Sequence, residues 1–198
     1  MKARVDLGAL IGSRICHDLV SPLGAIGNGV ELLGLTGIAE SPEMALIAES
    51  VANANARIRF FRVAFGAADD GQGMSRAEIA GILGAVARGG RLSYVWEPAG
   101  EQPRTDVRIV FLLLLCMENA LPLGGHIDVR RIGAVWEIIA EGRRVAIDAP
   151  LWDSLTNSRA RPDISAAHVQ FALLPEVVVQ ARRTLSLDLG ADRIVARF

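Results

Sequence analysis

His17 and Asp18 are the adjacent residues in this sequence whose types are best suited to chemistry. They lie within Ile15–Leu23, a stretch in which apolar residues recur at helical spacing. A neutral imidazole has an unperturbed pKa of about 6.5, so at neutral pH one ring nitrogen is a nucleophile without further activation. The pair therefore predicts a helix that presents a nucleophilic histidine beside an acid.

The helix that carries this pair is predicted from Leu7 to Leu35, with a stop signal at Gly37. Its apolar residues follow one another at spacings of three and four and form one seam: Cys16, Leu19, Leu23, Ile26, Val30 and Leu33. The face around His17 points away from this seam and carries small or polar residues: Arg14, Ser21, Gly24 and Asn28. We therefore expect a partner protein to reach His17, and we expect it to dock at Gly24 and Asn28, where small side chains allow a close approach. Arg14 is expected to meet the partner's acids.

A second helix is predicted to start at Ser41, where Pro42 and Glu43 complete an N-terminal signal. Its apolar residues again alternate at three and four: Met44, Ile47, Val51, Ala54, Ile58, Phe61 and Phe65. Two such helices form a hairpin whose seam lacks a partner within the hairpin. We therefore predict that residues 1–68 form a homodimer through a four-helix bundle. The alternative is that the seam packs on the second half of the same chain.

The second half of the chain follows a polar, glycine-rich linker at residues 66–74 and mixes helices with strands. Residues 75–198 are predicted to form an α+β sandwich, with helices on one face of a mixed sheet. The predicted helices cover residues 75–88, 106–121 and 165–182. The predicted strands cover residues 91–97, 125–131, 134–141, 144–148, 185–189 and 193–198.

Composition excludes several classes of function. A formal net charge of −1 and a pI near 6.3 argue against nucleic acid as the main partner. Lys2 is the only lysine, which excludes a lysine-dependent phosphate loop and Schiff-base chemistry. The longest apolar run, at residues 109–117, is about half the length that a membrane helix needs, so no membrane association is expected. The absence of a signal pattern and two separated cysteines favour a cytoplasmic location.

The stretch His17–Leu23, read as His-Asp-Leu-Val-Ser-Pro-Leu, resembles the phosphoacceptor box of histidine kinases. The element order of the second half is similar to that of the kinase-type ATP-binding domain, and Met117–Ala120 is similar to the end of its N-box. After Met117–Ala120, however, the sequence has no Asp-x-Gly-x-Gly motif and no glycine-rich lid, and Leu115 stands where an N-box carries its first asparagine. This combination resembles the ChpT-type histidine phosphotransferases of bacterial phosphorelays, with a degenerate ATPase-like sandwich.

The resemblance implies a dimeric intermediary that accepts a phosphoryl group from a receiver-domain aspartate of a hybrid histidine kinase and passes it to a response regulator. It also implies that His17 attacks through Nε2 and that Asp18 orients the ring. Ser21 is expected to donate to a phosphoryl oxygen. Mg²⁺ is expected in the partner receiver, and no cofactor of the chain's own is expected.

Two other functions fit the same residues. The first is an ATP-dependent histidine kinase with a cryptic nucleotide site in the second half of the chain. The second is a noncatalytic adaptor that uses the helical face only to bind a receiver. Nucleotide binding would distinguish the kinase from a phosphotransferase. Formation of phosphohistidine would distinguish a phosphotransferase from the adaptor.

Overall fold

The computed structural model describes residues 7–35, 42–68, 71–88 and 90–198. The chain divides into two compact units, residues 1–67 (unit 1) and 68–198 (unit 2). Unit 1 contains helix α1 (Leu7–Leu35) and helix α2 (Pro42–Phe65). The first helix has the predicted bounds within the described residues, whereas the predicted N-cap Ser41 and the stop signal at Gly37 lie outside the described residues.

Helices α1 and α2 pack against each other in antiparallel directions. A Cβ built on Gly12 would lie 3.1 Å from Cβ of Phe65, near the end of α2. A Cβ built on Gly27 would lie 3.5 Å from Cγ1 of Val51, nearer the start of α2. Because α1 runs past α2 at these distances, glycine at position 12 allows the two backbones to approach closely.

Unit 2 contains four helices and seven strands within its described residues. The helices are α3 (Arg76–Arg88), α4 (Arg104–Ala120), α5 (Ala149–Asp153) and α6 (Val169–Gln180), and a 3₁₀ turn, Ala166–His168, precedes α6. The strands are β1 (Gly73–Met74), β2 (Leu92–Trp96), β3 (Gln102–Pro103), β4 (Gly125–Ile132), β5 (Val135–Glu141), β6 (Ser186–Leu189) and β7 (Arg193–Arg197).

Five of these strands form a mixed sheet in the order β2-β4-β5-β7-β6. Strand β2 pairs parallel with β4, and the other neighbours pair antiparallel. Strand residues with completely buried side chains alternate along the sheet, as expected when one face is covered: Ile127, Val129, Trp136, Ile138 and Ala196. The predicted combination of helices with a mixed sheet is therefore confirmed.

Helix α4 provides the core of unit 2. All of its residues are buried except Thr105, Glu118 and Asn119. It packs against α6, so its apolar run is enclosed by protein. No helix among the described residues is both long enough and apolar enough to cross a membrane.

A buried carboxylate, Asp106, joins three elements of unit 2. One of its oxygens accepts a hydrogen bond from Nε1 of Trp136 at 3.1 Å and one from Nη2 of Arg183 at 2.7 Å. The other oxygen accepts from Nε of Arg183 at 3.2 Å. The charge of Asp106 is thus neutralised where its side chain is 4% exposed.

The end of α6 has the hydrogen bonds of a Schellman motif, which positions Arg183 for this contact. The Arg182 N–H donates to the Val179 carbonyl at 3.0 Å, and the Arg183 N–H donates to the Val178 carbonyl at 3.0 Å. Arg182 adopts a φ of 55°, where glycine is the usual residue. A side chain in this conformation costs about 1–2 kcal/mol.

On the other face of the sheet, strands β2 and β4 carry polar side chains that form hydrogen bonds. Ser93 Oγ lies 2.7 Å from Nδ1 of His126, and His126 Nε2 lies 2.8 Å from a carboxylate oxygen of Asp128. On the same face Arg130 Nε donates to Glu97 at 3.0 Å. These side chains fix the parallel pairing of the edge strand β2.

Three sequence predictions for unit 2 need correction. The predicted strand at 144–148 is wrong, because Asp148 caps α5 by accepting from the Leu151 N–H at 3.3 Å. Ala146 N–H instead donates to the Ala120 carbonyl, at the end of α4. The predicted helix at 165–182 is divided into the 3₁₀ turn and α6. Strands β1 and β3, which form their own small sheet, were not predicted because they are too short to show periodicity.

Candidate functional site

The predicted site residues share one face of helix α1. At about 100° per residue, positions 14, 17, 21, 24 and 28 fall within about 80° of one another around the axis. Positions 24 and 28 lie about 10 Å and 16 Å along the axis from His17. The side chains of Arg14, His17 and Asp18 lie outside the described side chains, so the predicted exposure of the imidazole and its contact with Asp18 remain predictions.

Ser21 and Pro22 lie in the turn that follows the histidine. The side chain of Ser21 is exposed, one helical turn after His17 on the same face. Pro22 stands inside α1 and has no N–H to donate to the carbonyl of Asp18. The backbone of α1 therefore lacks one helical hydrogen bond in the turn that carries the predicted chemistry.

A groove of about 600 Å³ runs between α1 and α2. The two residues predicted for docking, Gly24 and Asn28, both line it. A Cβ built on Gly24 would meet nothing within 4 Å, so this wall of the groove is open. Most of the remaining lining is small or aliphatic: Gly27, Val30, Ala45, Ala48, Val51 and Ala52.

Three polar residues of the groove were missed by the sequence analysis: Glu31 on α1, and Asn55 and Arg59 on α2. The antiparallel register places Arg59 about level with Leu19, two residues after His17. Pairing the two apolar seams of the sequence in antiparallel register would have identified these residues, because it fixes which α2 positions face each turn of α1.

Cys16 connects the histidine turn to a second arginine of α2. Burial raises the pKa of the Cys16 thiol, and the positive charge of Arg62 acts in the opposite direction. Arg62 thus acts on the residue that immediately precedes His17. Together with Arg59, it gives α2 two cations at the level of the predicted nucleophile.

A stripe of apolar side chains on α1 is exposed in the single chain. Leu19, Ile26 and Leu33 are spaced by seven residues and are 45%, 49% and 43% exposed. They belong to the predicted seam, in which the alternating members Cys16, Leu23 and Val30 are less exposed. Other large apolar side chains are also exposed on α1 and α2: Ile15, Val20, Leu32, Leu46 and Ile47.

In unit 2, the residues similar to an N-box have other partners. The Tyr94 hydroxyl donates to Oε1 of Glu118 at 2.7 Å, Asn119 is exposed, and Leu115 is buried. This end of α4 thus joins the helix to β2. Within the described residues no group of three or more His, Cys, Asp or Glu side chains can hold a metal ion.

Comparisons with known proteins agree on one family. Residues 76–193 match the family model of the histidine phosphotransferase C-terminal domain. The protein phosphotransferase ChpT of Brucella abortus (strain 2308) is 34% identical over 197 residues, covering 96% of this chain and 94% of that relative. A solved structure of a bacterial phosphotransferase matches with a TM-score of 0.71 and 32% identity, covering 100% of this chain and 97% of that one.

Proposed function

The chain belongs to the histidine phosphotransferase family, and we propose that His17 carries the phosphoryl group between two receiver domains. The observation that supports this assignment most directly is the face of α1. It carries His17, Ser21 and the groove residues Gly24 and Asn28 in one line. A donor receiver belonging to a hybrid histidine kinase and an acceptor receiver of a response regulator would use this face in turn.

The transfer step exchanges one phosphorus bond for another. Nε2 of neutral His17 attacks the phosphorus of the aspartyl phosphate, the P–O bond to that aspartate breaks, and the carboxylate leaves. The proton on Nδ1 stays on the ring, where Asp18 accepts a hydrogen bond from it and stabilises the positive charge. Ser21 donates to a phosphoryl oxygen. A Mg²⁺ ion held by the receiver would supply positive charge against the phosphoryl oxygens, and the second receiver would reverse the step.

The groove between α1 and α2 is the proposed docking surface for the receiver. Gly24 leaves its wall open, and alanines on α2 line the opposite side, so a partner helix can approach the two backbones closely. Asn28 offers an amide donor and acceptor on the exposed side of the groove. Arg59 and Arg14 supply positive charge for the acidic residues that surround a receiver aspartate.

The exposed apolar stripe supports a homodimer. Leu19, Ile26 and Leu33 recur every seven residues, which is the spacing of a helix-bundle seam. A stripe of this kind on a soluble helix marks an interface. A second copy of the hairpin offers the matching stripe, so two hairpins would complete a four-helix bundle. His17 occupies another face of α1, and each dimer would therefore present two phosphoacceptor sites.

Transfer from a radiolabelled, phosphorylated receiver tests this function. The wild-type chain should gain an acid-labile, base-stable label, and ATP without a receiver should give none. His17→Ala should lose the label, by at least a hundredfold, with an unchanged circular dichroism spectrum. His168→Ala is the matched control, because it removes another imidazole from unit 2 and should be labelled normally.

Each failure of this experiment points to a different function. Label that persists in His17→Ala would assign the phosphoryl group to another residue. Labelling from ATP alone would identify a kinase with its own nucleotide site. Binding of the receiver by wild type and His17→Ala, with no phosphohistidine formed by either, would identify an adaptor.

A further inference from the structure

The open face of the sheet in unit 2 carries a hydrogen-bonded triad, Ser93, His126 and Asp128, that the proposed transfer reaction does not use. Ser93 Oγ lies 2.7 Å from Nδ1 of His126, and His126 Nε2 lies 2.8 Å from Oδ1 of Asp128. Ser93 is the register partner of His126 in the parallel pair of β2 and β4, and Asp128 follows two residues later on the same face. A nucleophile in contact with a base that a third group orients is the arrangement of nucleophilic catalysis.

The hydrogen bonds of the triad determine which atoms donate and which accept. A carboxylate only accepts, so the ring N–H that contacts Asp128 lies on Nε2 of His126. Nδ1 of the neutral ring is then the acceptor for the Ser93 hydroxyl, whose other contact, with the Gly125 carbonyl, is longer at 3.4 Å. The second oxygen of Asp128 lies 3.6 Å from Nη2 of Arg130. His126 is thus positioned to accept the proton of Ser93.

A cleft of about 830 Å³ opens beside the triad, and both Ser93 and His126 line it. This volume is in the range of binding sites for small molecules. The charged residues of the lining are two acids and two arginines, so their formal charges cancel: Glu141, Asp192, Arg143 and Arg193. Within this set, Nε of Arg193 lies 3.3 Å from a carboxylate oxygen of Glu141. A cleft with balanced charge suits a neutral substrate better than an ion.

A side chain of the cleft supplies the donor for the negative charge that develops during acyl transfer. The amides of the lining glycines already donate to backbone carbonyls: Gly124, Gly125 and Gly142. The guanidinium of Arg143 lines the same cleft and is a strong donor to an oxyanion. From the triad and the cleft, we propose that unit 2 hydrolyses small neutral carboxylic esters with Ser93 as the nucleophile.

The hydrolysis proceeds in two steps. Ser93 Oγ attacks the carbonyl carbon of the ester, and its proton passes to Nδ1 of His126. The tetrahedral intermediate then collapses, the bond from the carbonyl carbon to the alcohol oxygen breaks, and the alcohol leaves with that proton. In the second step water attacks the acyl group on Ser93, His126 again accepts a proton and returns it to Ser93, and the carboxylic acid leaves. Asp128 acts through His126 as a positioning residue.

Hydrolysis of p-nitrophenyl acetate, a small neutral ester, by the full-length protein tests this activity. The parent protein for the assay is His17→Ala, because this change removes the imidazole of α1 from the reaction with the ester. Adding Ser93→Ala to this parent should lower the rate about a hundredfold, since the nucleophile is lost. Adding Asp128→Asn should lower kcat by about as much and leave KM nearly unchanged, since the ring loses its orienting acceptor while the cleft keeps its shape.

A fluorophosphonate probe tests the nucleophile directly, because Ser93 Oγ should bond to phosphorus as fluoride leaves and His126 accepts the proton. Mass spectrometry of the digested protein should find the adduct on Ser93. Ser165 is the matched control. Its Oγ lies 3.2 Å from Nδ1 of His168, but among the described residues no carboxylate contacts this second ring. Ser165 should therefore carry no adduct, and Ser165→Ala should hydrolyse the ester as the parent does.

Two results would overturn the proposal: no adduct on Ser93 of the parent protein, or equal rates of ester hydrolysis with and without Ser93→Ala. The adduct is measured on a protein whose triad is intact, so it decides the question even where a substitution disturbs the pairing of β2. Phosphoryl transfer to His17 serves as the independent readout. Because Ser93 has no part in that reaction, the single variant Ser93→Ala should still be labelled by a phosphorylated receiver.

Discussion

Helices α1 and α4 place their apolar side chains in opposite environments. Helix α4 buries all but three of its residues, whereas Cys16 is the one buried residue among the described side chains of α1. Both helices are rich in leucine, isoleucine and valine, so composition alone does not separate them. The spacing does. The unbroken apolar run at residues 109–117 is buried within unit 2, whereas the seven-residue repeat of α1 leaves a stripe exposed for another molecule.

The contrast assigns different tasks to the two units. The enclosed helix gives unit 2 a fixed core, and mutations there should change stability. The open helix offers surfaces, and mutations there should change association and transfer. Four experiments test this division, beginning with the largest expected effect.

Asp106→Ala tests whether the enclosed helix depends on its buried charge. The change leaves Arg183 without its carboxylate and Trp136 without its acceptor, so we expect the free energy of unfolding to fall by about 3–5 kcal/mol. Urea denaturation measures this value. Asp188→Ala, which removes an exposed acid from β6, should change it by less than about 0.5 kcal/mol. An equal loss of unfolding free energy in the two variants would mean that the burial of Asp106 does not contribute to stability.

Leu19→Glu tests whether the open stripe of α1 is a dimer interface. A charge at the first position of the stripe should raise the dimer dissociation constant at least a hundredfold, about 2.8 kcal/mol, with little change in helix content. Sedimentation velocity measures the shift to monomer. Leu123→Glu provides the control, because Leu123 is 60% exposed in unit 2 and lies outside the stripe. A wild-type chain that sediments as a monomer would refute the interface.

Gly24→Leu tests whether the groove is the docking surface. A branched side chain in the open wall should raise the KM for a phosphorylated receiver about tenfold and leave kcat nearly unchanged, since the reacting residues are intact. Gly81→Leu is the matched control, because a Cβ on this helical glycine of α3 also meets nothing within 4 Å. The same KM for both variants would exclude docking at Gly24.

Each of the two helices carries one cysteine, and the pH dependence of the free energy of unfolding tests how strongly each helix buries its thiol. Burial raises the pKa of Cys116 on α4 well above its usual range and raises that of Cys16 on α1, where Arg62 opposes the shift. Above about pH 8.5 the unfolded thiol loses its proton and the folded thiol keeps it, so stability falls as pH rises. We expect Cys116→Ala to flatten this slope by up to about 1.4 kcal/mol per pH unit.

Cys16→Ala should flatten the slope over a narrower pH range, because the positive charge of Arg62 limits the shift. Urea denaturation from pH 7 to pH 10 measures both slopes. An equal effect of the two substitutions would contradict the contrast between an open and an enclosed helix.

Sequence periodicity predicted the long helices well because each carries many apolar residues on one face. The bounds of α1, and the strands on either side of the tight turn at Gly133, follow from such patterns. Strand 144–148 was wrong because a local signal, the Asp148 cap followed by Pro150, outweighs a short apolar alternation. Periodicity carries no information about two-residue strands such as β1.

The candidate site was predictable only where one helix supplies it. His17, Ser21, Gly24 and Asn28 share a face of α1, and helical geometry alone places them together. Arg59 and Asn55 join them from α2 through the register of the hairpin, which two close contacts at glycines determine. In unit 2, the turn after α6 has left-handed backbone at Arg182, which sequence preferences disfavour and which was therefore not predictable.

The position of β7 within the sheet has a consequence for biosynthesis. β6 is synthesised before β7, yet among the described strands its one neighbour is β7, which also pairs with β5. In a nascent chain that ends at Leu189, β6 therefore has no strand to pair with, and the edge of β5 is still unpaired. Residues 193–197 must therefore have left the ribosome before β5 and β6 can be joined through β7. Chains arrested before Arg193 would expose the open edge of β5 to aggregation and to quality-control proteases.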